Sequence, residues 1–284
     1  LSRLDPSTLE QTHIGVVNKL IRQKKFKQYL INNCYPVAID GTQKLARNDL
    51  YAEQLLQRKI TKKKTDKKKT DKKEVAVDNS EADEDEAEDD YQYYVYVLEA
   101  NLSFRNGLVI PLLSEFLEYQ LGDQQKSKQD CELRAFYRLC NKLKQYFSHL
   151  PIMLLLDGLY ANGPVIEYCE QKNWQFMIVL KEDSLSTVWQ EYDALSRLQP
   201  ENLMEQTWGR REQSFRWVDK IEYTFGQGNE SLWLHLVVCE ERWQTVNHQG
   251  EIQVKTSRHA WLSSRALHAG NVHERCNLGA RYRW

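Results

Sequence analysis

The run LPIMLLLDGLY at positions 150–160 constrains this chain more than any other stretch. It is apolar at successive positions, leaves no face for water, and stops at Asp157-Gly158. A strand buried on both sides belongs to a parallel sheet with helices on each face. Two other runs share this character. YPVAIDGT (35–42) is a short apolar run expected to form a strand that ends at Asp40, and WQFMIVLKED (174–183) is expected to form a third buried strand. An α/β class follows.

The segments between these runs fill in an order. Residues 9–31 carry Ile14, Val17, Leu20 and Ile21 at helical spacing. YQYYVYVLEANLSF and NGLVIPLLSEFLE flank Asn106-Gly107, which predicts a hairpin. In QDCELRAFYRLCNKLKQYF the residues Leu133, Phe136, Tyr137, Cys140, Leu143 and Phe147 fall on one helical face, with Asp130 placed to cap its start. Asn162-Gly163-Pro164 opens a further helix through about Gln171. From Ser184 to Ser264 the texture changes: six tryptophans and many polar residues predict a β-rich insertion, with strands at SLWLHLVVCEE and IQVKTS. The last twenty residues read as the start of a helix.

Residues 61–90 stand apart. TKKKTDKKKTDKK is followed by EADEDEAEDD, and blocks of like charge repel and bury no apolar surface, so a solvated, disordered loop is expected. The acidic block competes for the lysines, which favours a tolerated insertion over a basic arm on DNA phosphates.

Composition excludes little. With 284 residues there is room for one large domain or two small ones, and 41% hydrophobic with 28% charged residues suits a globular protein. The net charge of −1 hides strong local blocks. No run reaches membrane-spanning length and no leader pattern opens the chain, so a cytoplasmic location is expected. Six cysteines without a C-x-x-C pair read as reduced thiols, and the spacing of His268, His273 and Cys276 fits no standard zinc site. The chain starts at Leu1 rather than Met and stops at Trp284 in an Arg-rich, aromatic stretch, and reads as a piece of a longer protein.

The chemistry points to two carboxylates. Asp40 and Asp157 each end an apolar strand and precede glycine. In open α/β sheets ligands bind beyond the carboxyl ends of strands, so both side chains are expected in one site. A strand-ending Asp-Gly is often only a turn, yet two of them in matching elements favour a site for a hard divalent cation. A third acid would allow two Mg²⁺ ions about 3.5–4 Å apart, an arrangement suited to phosphodiester cleavage and strand transfer. A nucleotide-binding fold would need a glycine-rich phosphate loop, and a serine hydrolase a GxSxG elbow; the sequence has neither.

The order strand, hairpin, helix, strand, helix, strand, β-rich insertion, helix is the ribonuclease H-like plan. VAIDGTQ, YYVYVLEANL, the QDCE helix start, LPIMLLLDGLYANGPVIE, WQFMIVLK and the closing ARYRW together resemble bacterial insertion-sequence transposases of the DDE class with a β-strand insertion. The likeness runs from about Tyr35 to the end. It implies a ribonuclease H-like catalytic core at 35–183, after an N-terminal helical segment at 1–34. An insertion at 184–264 and the start of the last catalytic helix at 265–284 complete the division.

The resemblance further implies that Asp40 and Asp157 are catalytic and bind Mg²⁺, with Mn²⁺ as a substitute. Double-stranded DNA would be the substrate, held by a homodimer. The family's third acid is a Glu in a Tyr-x2-Arg-x3-Glu-x6-Lys pattern. Arg283 matches its Arg, which puts the Glu beyond Trp284, while Ala280 stands at the Tyr position and Tyr282 is displaced. Glu132 is the internal candidate for a third metal ligand, although it could equally favour a helix N-terminus. Arg281, Arg283 and Lys181 are candidate phosphate contacts. Trp261 could stack on a flipped base, against a plainer role as a core residue. Two other readings remain open, a catalytically inactive DNA-binding remnant and a ribonuclease H-like nuclease that uses Glu132.

Overall fold

A computed structural model describes residues 5–50, 52, 55–60, 91–117, 131–227 and 230–282. The charged segment 61–90, Asp130 and Arg283 lie outside the described residues. The chain divides into two compact units: Leu1–Gly41, Leu98–Glu115 and Glu132–Trp284 form the larger, Thr42–Val97 and Phe116–Cys131 the smaller.

The larger unit is mixed α/β. It opens with α1 (Pro6–Arg22), whose start is capped by the Asp5 carboxylate and held by Pro6 in the first turn. The helix stops at Arg22, short of the apolar pattern's reach to Ile31, because Lys24 turns into the left-handed region. Next come β1 (Tyr35–Arg47), β3 (Tyr91–Ser103) and β4 (Val109–Phe116). The β3–β4 hairpin turns at Asn106-Gly107, where Gly107 has φ +83; such backbone suits glycine because it has no Cβ.

After α2 (Glu132–Tyr146) follow β5 (Ile152–Leu156), α3 (Gly163–Gln171) and β6 (Gln175–Val179). All five residues of β5 are buried, which contributes about 1.5–3 kcal/mol for each large side chain. On α2 the buried face is Ala135, Phe136, Leu139, Cys140 and Leu143. The sheet runs β3-β1-β5-β6-β10-β9-β8-β7, where β7 is Leu203–Trp208, β8 Arg211–Phe225, β9 Glu230–Val246 and β10 Ile252–Ser263, with β4 paired to β3. Here β5 is parallel to β1 and β6, whereas β7 to β10 pair antiparallel.

Three elements depart from expectation. First, β1 does not end at Asp40. It runs on to Arg47, with burial ceasing after Ile39, because β1 pairs on its other side with β3 while β5 stops at Leu156. Second, the segment after Ser184 begins with a helix, α4 (Ser186–Leu198), before β7 (Leu203–Trp208), β8 (Arg211–Phe225), β9 (Glu230–Val246) and β10 (Ile252–Ser263). Third, the chain closes in a π-helix (Glu274–Gly279) and a 3-10 turn (Ala280–Tyr282) rather than an ordinary α-helix. The insertion's strands continue the core sheet, since β10 pairs with β6 from Trp261↔Val179 to Ser263↔Met177.

The smaller unit holds the outer ends of β1 and β3 together with β2 (Leu56–Lys59). There β2 pairs antiparallel with β3 from Leu56↔Tyr94 to Lys59↔Tyr91, and Arg58 lies over the Tyr94 ring.

Candidate active site

The site follows from strand register. β1 and β5 pair parallel from Tyr35↔Ile152 to Ala38↔Leu155. Carried two residues past the last of these pairs, the same register would set Asp40 opposite Asp157, which lies just beyond β5, and the charges of both act on Tyr160. Side chains alternate along a strand, so both carboxylates take the same face. Asp157 caps a 3-10 turn (Gly158–Tyr160), and its Oδ1 accepts the Leu159 N–H at 2.9 Å. Among the described residues its other oxygen has no hydrogen-bond partner.

Tyr160, in the turn after Asp157, bonds to a further acid, Glu132. Its ring is fully buried against Phe136, with centroids 4.8 Å apart, and its hydroxyl donates to Glu132 Oε1 at 2.8 Å. Burial raises the Tyr160 pKa far above the usual phenol range. The hydrogen bond to Glu132 and the charges of Glu132, Asp157 and Asp40 raise it further. One phenol therefore feels all three carboxylates. In the sequence Tyr160 carries no mark beyond being an aromatic three residues after Asp157 inside the turn.

The glycine after Asp157 also has a structural reason. A Cβ on Gly158 would meet the Lys181 side chain, at 2.9 Å from its Cε and 3.0 Å from its Cγ. The Lys181 stem thus lies across Gly158 from the end of β6. Among the described residues its ammonium has no hydrogen-bond or ion-pair partner.

The donors match a hard divalent cation in kind, all being carboxylate oxygens. Among the described residues, however, no set of three or more His, Cys, Asp or Glu is grouped closely enough to hold a metal ion. The His268–His273–Cys276 trio is engaged elsewhere: His268 Nδ1 accepts the Gly270 N–H, His273 faces Gln206 and Asn277, and Cys276 is buried in the core.

The remaining candidates lie across the insertion. Trp261 is 4% exposed, inside a core cluster with Phe215, Trp217 and Val237. His259 stacks on it at 5.7 Å and the Arg281 guanidinium lies 5.5 Å from its centre. The indole is a core side chain here and offers no open face to a base. Arg281 is also occupied. Its Nη2 donates to Glu241 Oε1 at 2.8 Å and its Nε to Asn277 Oδ1 at 2.9 Å.

No sequence pattern marks Glu241, a charged residue in an insertion strand. Its side chain is fully buried and accepts from Gln213, Arg211, Ser257 and Arg281. Burial pushes its carboxyl up, but hydrogen bonds from Gln213 and Arg211 and the Arg281 charge outweigh this and leave it below the usual range. The cluster ties β8, β9 and β10 to the C-terminal helical turns.

Searches against protein-family models and against curated proteins each found no match.

Proposed function

We propose that the chain is the catalytic core of a DDE-type transposase, which cleaves transposon ends and joins them to target DNA. The observation that carries the reading is the parallel register of β1 and β5, which leads on to Asp40 and Asp157, with the charges of both acting on Tyr160, the phenol that donates to Glu132. The strand order β4-β3-β1-β5-β6, with α2 between β4 and β5, supports a ribonuclease H-like core. The resemblance of VAIDGTQ, LPIMLLLDGLYANGPVIE and ARYRW to insertion-sequence transposases supports the reaction class.

In this reading Asp40 and Asp157 would hold Mg²⁺, or Mn²⁺ in its place, and the ion would supply activation of a water or 3′-hydroxyl and charge stabilisation at the leaving oxygen. The protein's own part is positional. The 3-10 turn fixes one Asp157 oxygen and leaves the other open, and Lys181 brings a free cation to the same strand ends for a DNA phosphate. Duplex DNA is the partner and a homodimer the working form. The compartment is the cytoplasm, with the nucleoid as the place of action; among the described residues no helix is long and apolar enough to cross a membrane.

The Tyr160–Glu132 hydrogen bond favours a second reading, a ribonuclease H-like nuclease with Glu132 as its third acid. A strand-transfer assay separates these readings, using labelled DNA with a free 3′-hydroxyl and a target plasmid. Joined products that vanish in Asp157→Asn support the transposase. Cleavage without joining, lost in Glu132→Gln, supports the nuclease. Binding without either reaction would leave a DNA-binding remnant and overturn the proposal.

A further inference from the structure

The face of the insertion that carries Trp261 changes character along its length. Directly paired residues share a face, so β7 to β10 present successive rows. The row nearest the core is apolar, with Met204, Phe215 and Cys239 in cross-strand register. The next is polar, with Gln206 and Gln213 beside Glu241 and Ser257, and it bonds to Asn277 and Arg281 of the C-terminal turns. The outermost row is aromatic and cationic: Trp208 pairs with Arg211, and Trp243 with Lys255. The C-terminal turns cover the first two rows through Cys276, Asn277 and Ala280.

The outer row lines an open cleft of about 640 Å³, bounded by Trp208, Gly209, Arg210, Arg211, Trp243 and Arg281. Both indoles are half-buried. Each is already faced by one guanidinium, Arg211 at 4.3 Å from the Trp243 ring and Arg281 at 5.3 Å from the Trp208 ring. Those two arginines share the single Glu241 carboxylate, which holds both guanidinium groups in place and balances one of their two charges. Arg210 and Lys255 differ: both are exposed and neither has an ion-pair partner among the described residues. The cleft therefore combines two indoles, each held by a guanidinium that also lines it, with one exposed cation in its wall, Arg210, and a second, Lys255, paired across the strands from Trp243. A planar ring joined to an anion matches that combination.

We propose that this outer row is a binding platform for an unpaired nucleic-acid strand, with bases stacking on Trp208 and Trp243 and phosphates meeting Arg210 and Lys255. The choice of nucleic acid over another planar anion rests on the proposed DNA-processing function. The platform is separate from Trp261, whose faces are taken by His259 and Arg281. Stacking on indoles tolerates any base, so binding has little sequence preference, and the phosphate contacts make it salt-dependent.

The test is fluorescence anisotropy of a labelled single strand of about 12 nucleotides, titrated with the full chain at several salt concentrations. Trp243→Leu should weaken binding roughly tenfold with the salt slope unchanged. Arg210→Ala combined with Lys255→Ala should lower the log–log salt slope by about 1.4. Both cations are exposed, so this double variant keeps its fold, as a thermal melt checks, and stays decisive even if Trp243→Leu unfolds. Wild-type affinity in the double variant would overturn the proposal. So would tighter wild-type binding to an acidic peptide than to the strand. Asp157→Asn, run alongside, should bind normally but not cleave. Unaltered binding by the platform variants beside a dead Asp157→Asn defeats the platform alone. An Asp157→Asn protein that cleaves normally defeats the functional reading instead.

Discussion

Asp157 has one oxygen committed to the Leu159 N–H, while the Glu132 carboxylate receives the buried Tyr160 hydroxyl. Tyr160→Phe deletes that donor and nothing else. A hydrogen bond to a charged acceptor contributes about 1.5–3 kcal/mol, and part is recovered because a buried hydroxyl disappears with it. A stability loss of about 1 kcal/mol in urea is the expected outcome. Gly158→Ala sets a methyl against the Lys181 stem, the far part of a flexible side chain that can swing aside. Its melting temperature should stay near wild type while DNA affinity falls as far as in Lys181→Ala. Wild-type affinity in Gly158→Ala would show that the lysine's path over the glycine is irrelevant to binding. The apolar runs before Asp40 and Asp157 were legible as strands, but the continuation of β1 through Asp40 to Arg47 was not, because the pairing with β3 that carries it is set by distant residues. The Tyr160–Glu132 contact was not, since it joins residues 28 apart through a packed helix and a turn. The burial of Trp261 was equally hidden, because only the pairing of β10 with β6 puts it in the core.

Elements were legible where one physical pattern dominated. The doubly buried run of β5 and the Asn-Gly hairpin leave little choice of conformation. α4 was not foreseen because Trp189 and Tyr192 gave its segment a β-like composition, although only Val188 and Tyr192 are buried, at helical spacing. The C-terminal turns were expected as a plain helix. Their hold on the insertion depends on Glu241, which makes Glu241→Gln the revealing substitution. Removing one partner of a buried ion pair strands the other charge, here chiefly the mostly buried Arg281, since Arg211 is partly exposed to water, and should cost about 2 kcal/mol. The Glu241 carboxyl lies below its ordinary value of 4.5 in the folded protein. A depressed carboxyl gives stability that is present above the unfolded value and lost as pH falls through the folded one. Wild type should therefore lose stability on acidification below about pH 4.5. Glu241→Gln should lose less over the same interval in parallel urea titrations.

Across the whole molecule, the sequence pattern conveyed the α/β class and the order of the core elements along the chain but not the pairing of the insertion with β6. That pairing joins positions some eighty residues apart in the chain, and no local pattern records it. The core depends on β5, so Leu155→Ala, in a fully buried cluster beside Met153 and Met177, should cost about 2–5 kcal/mol in urea. The same strand aligns Asp157 with Asp40, and the central claim is that these two carboxylates form one metal-dependent site for DNA phosphodiester chemistry. The most direct measurement is single-turnover cleavage of duplex DNA in Mg²⁺ or Mn²⁺ by wild type, Asp40→Asn and Asp157→Asn, each with its fold checked by melting. Metal-dependent cleavage by wild type, lost in both variants with melting temperatures preserved, is the predicted result; cleavage that survives in either variant would contradict the account.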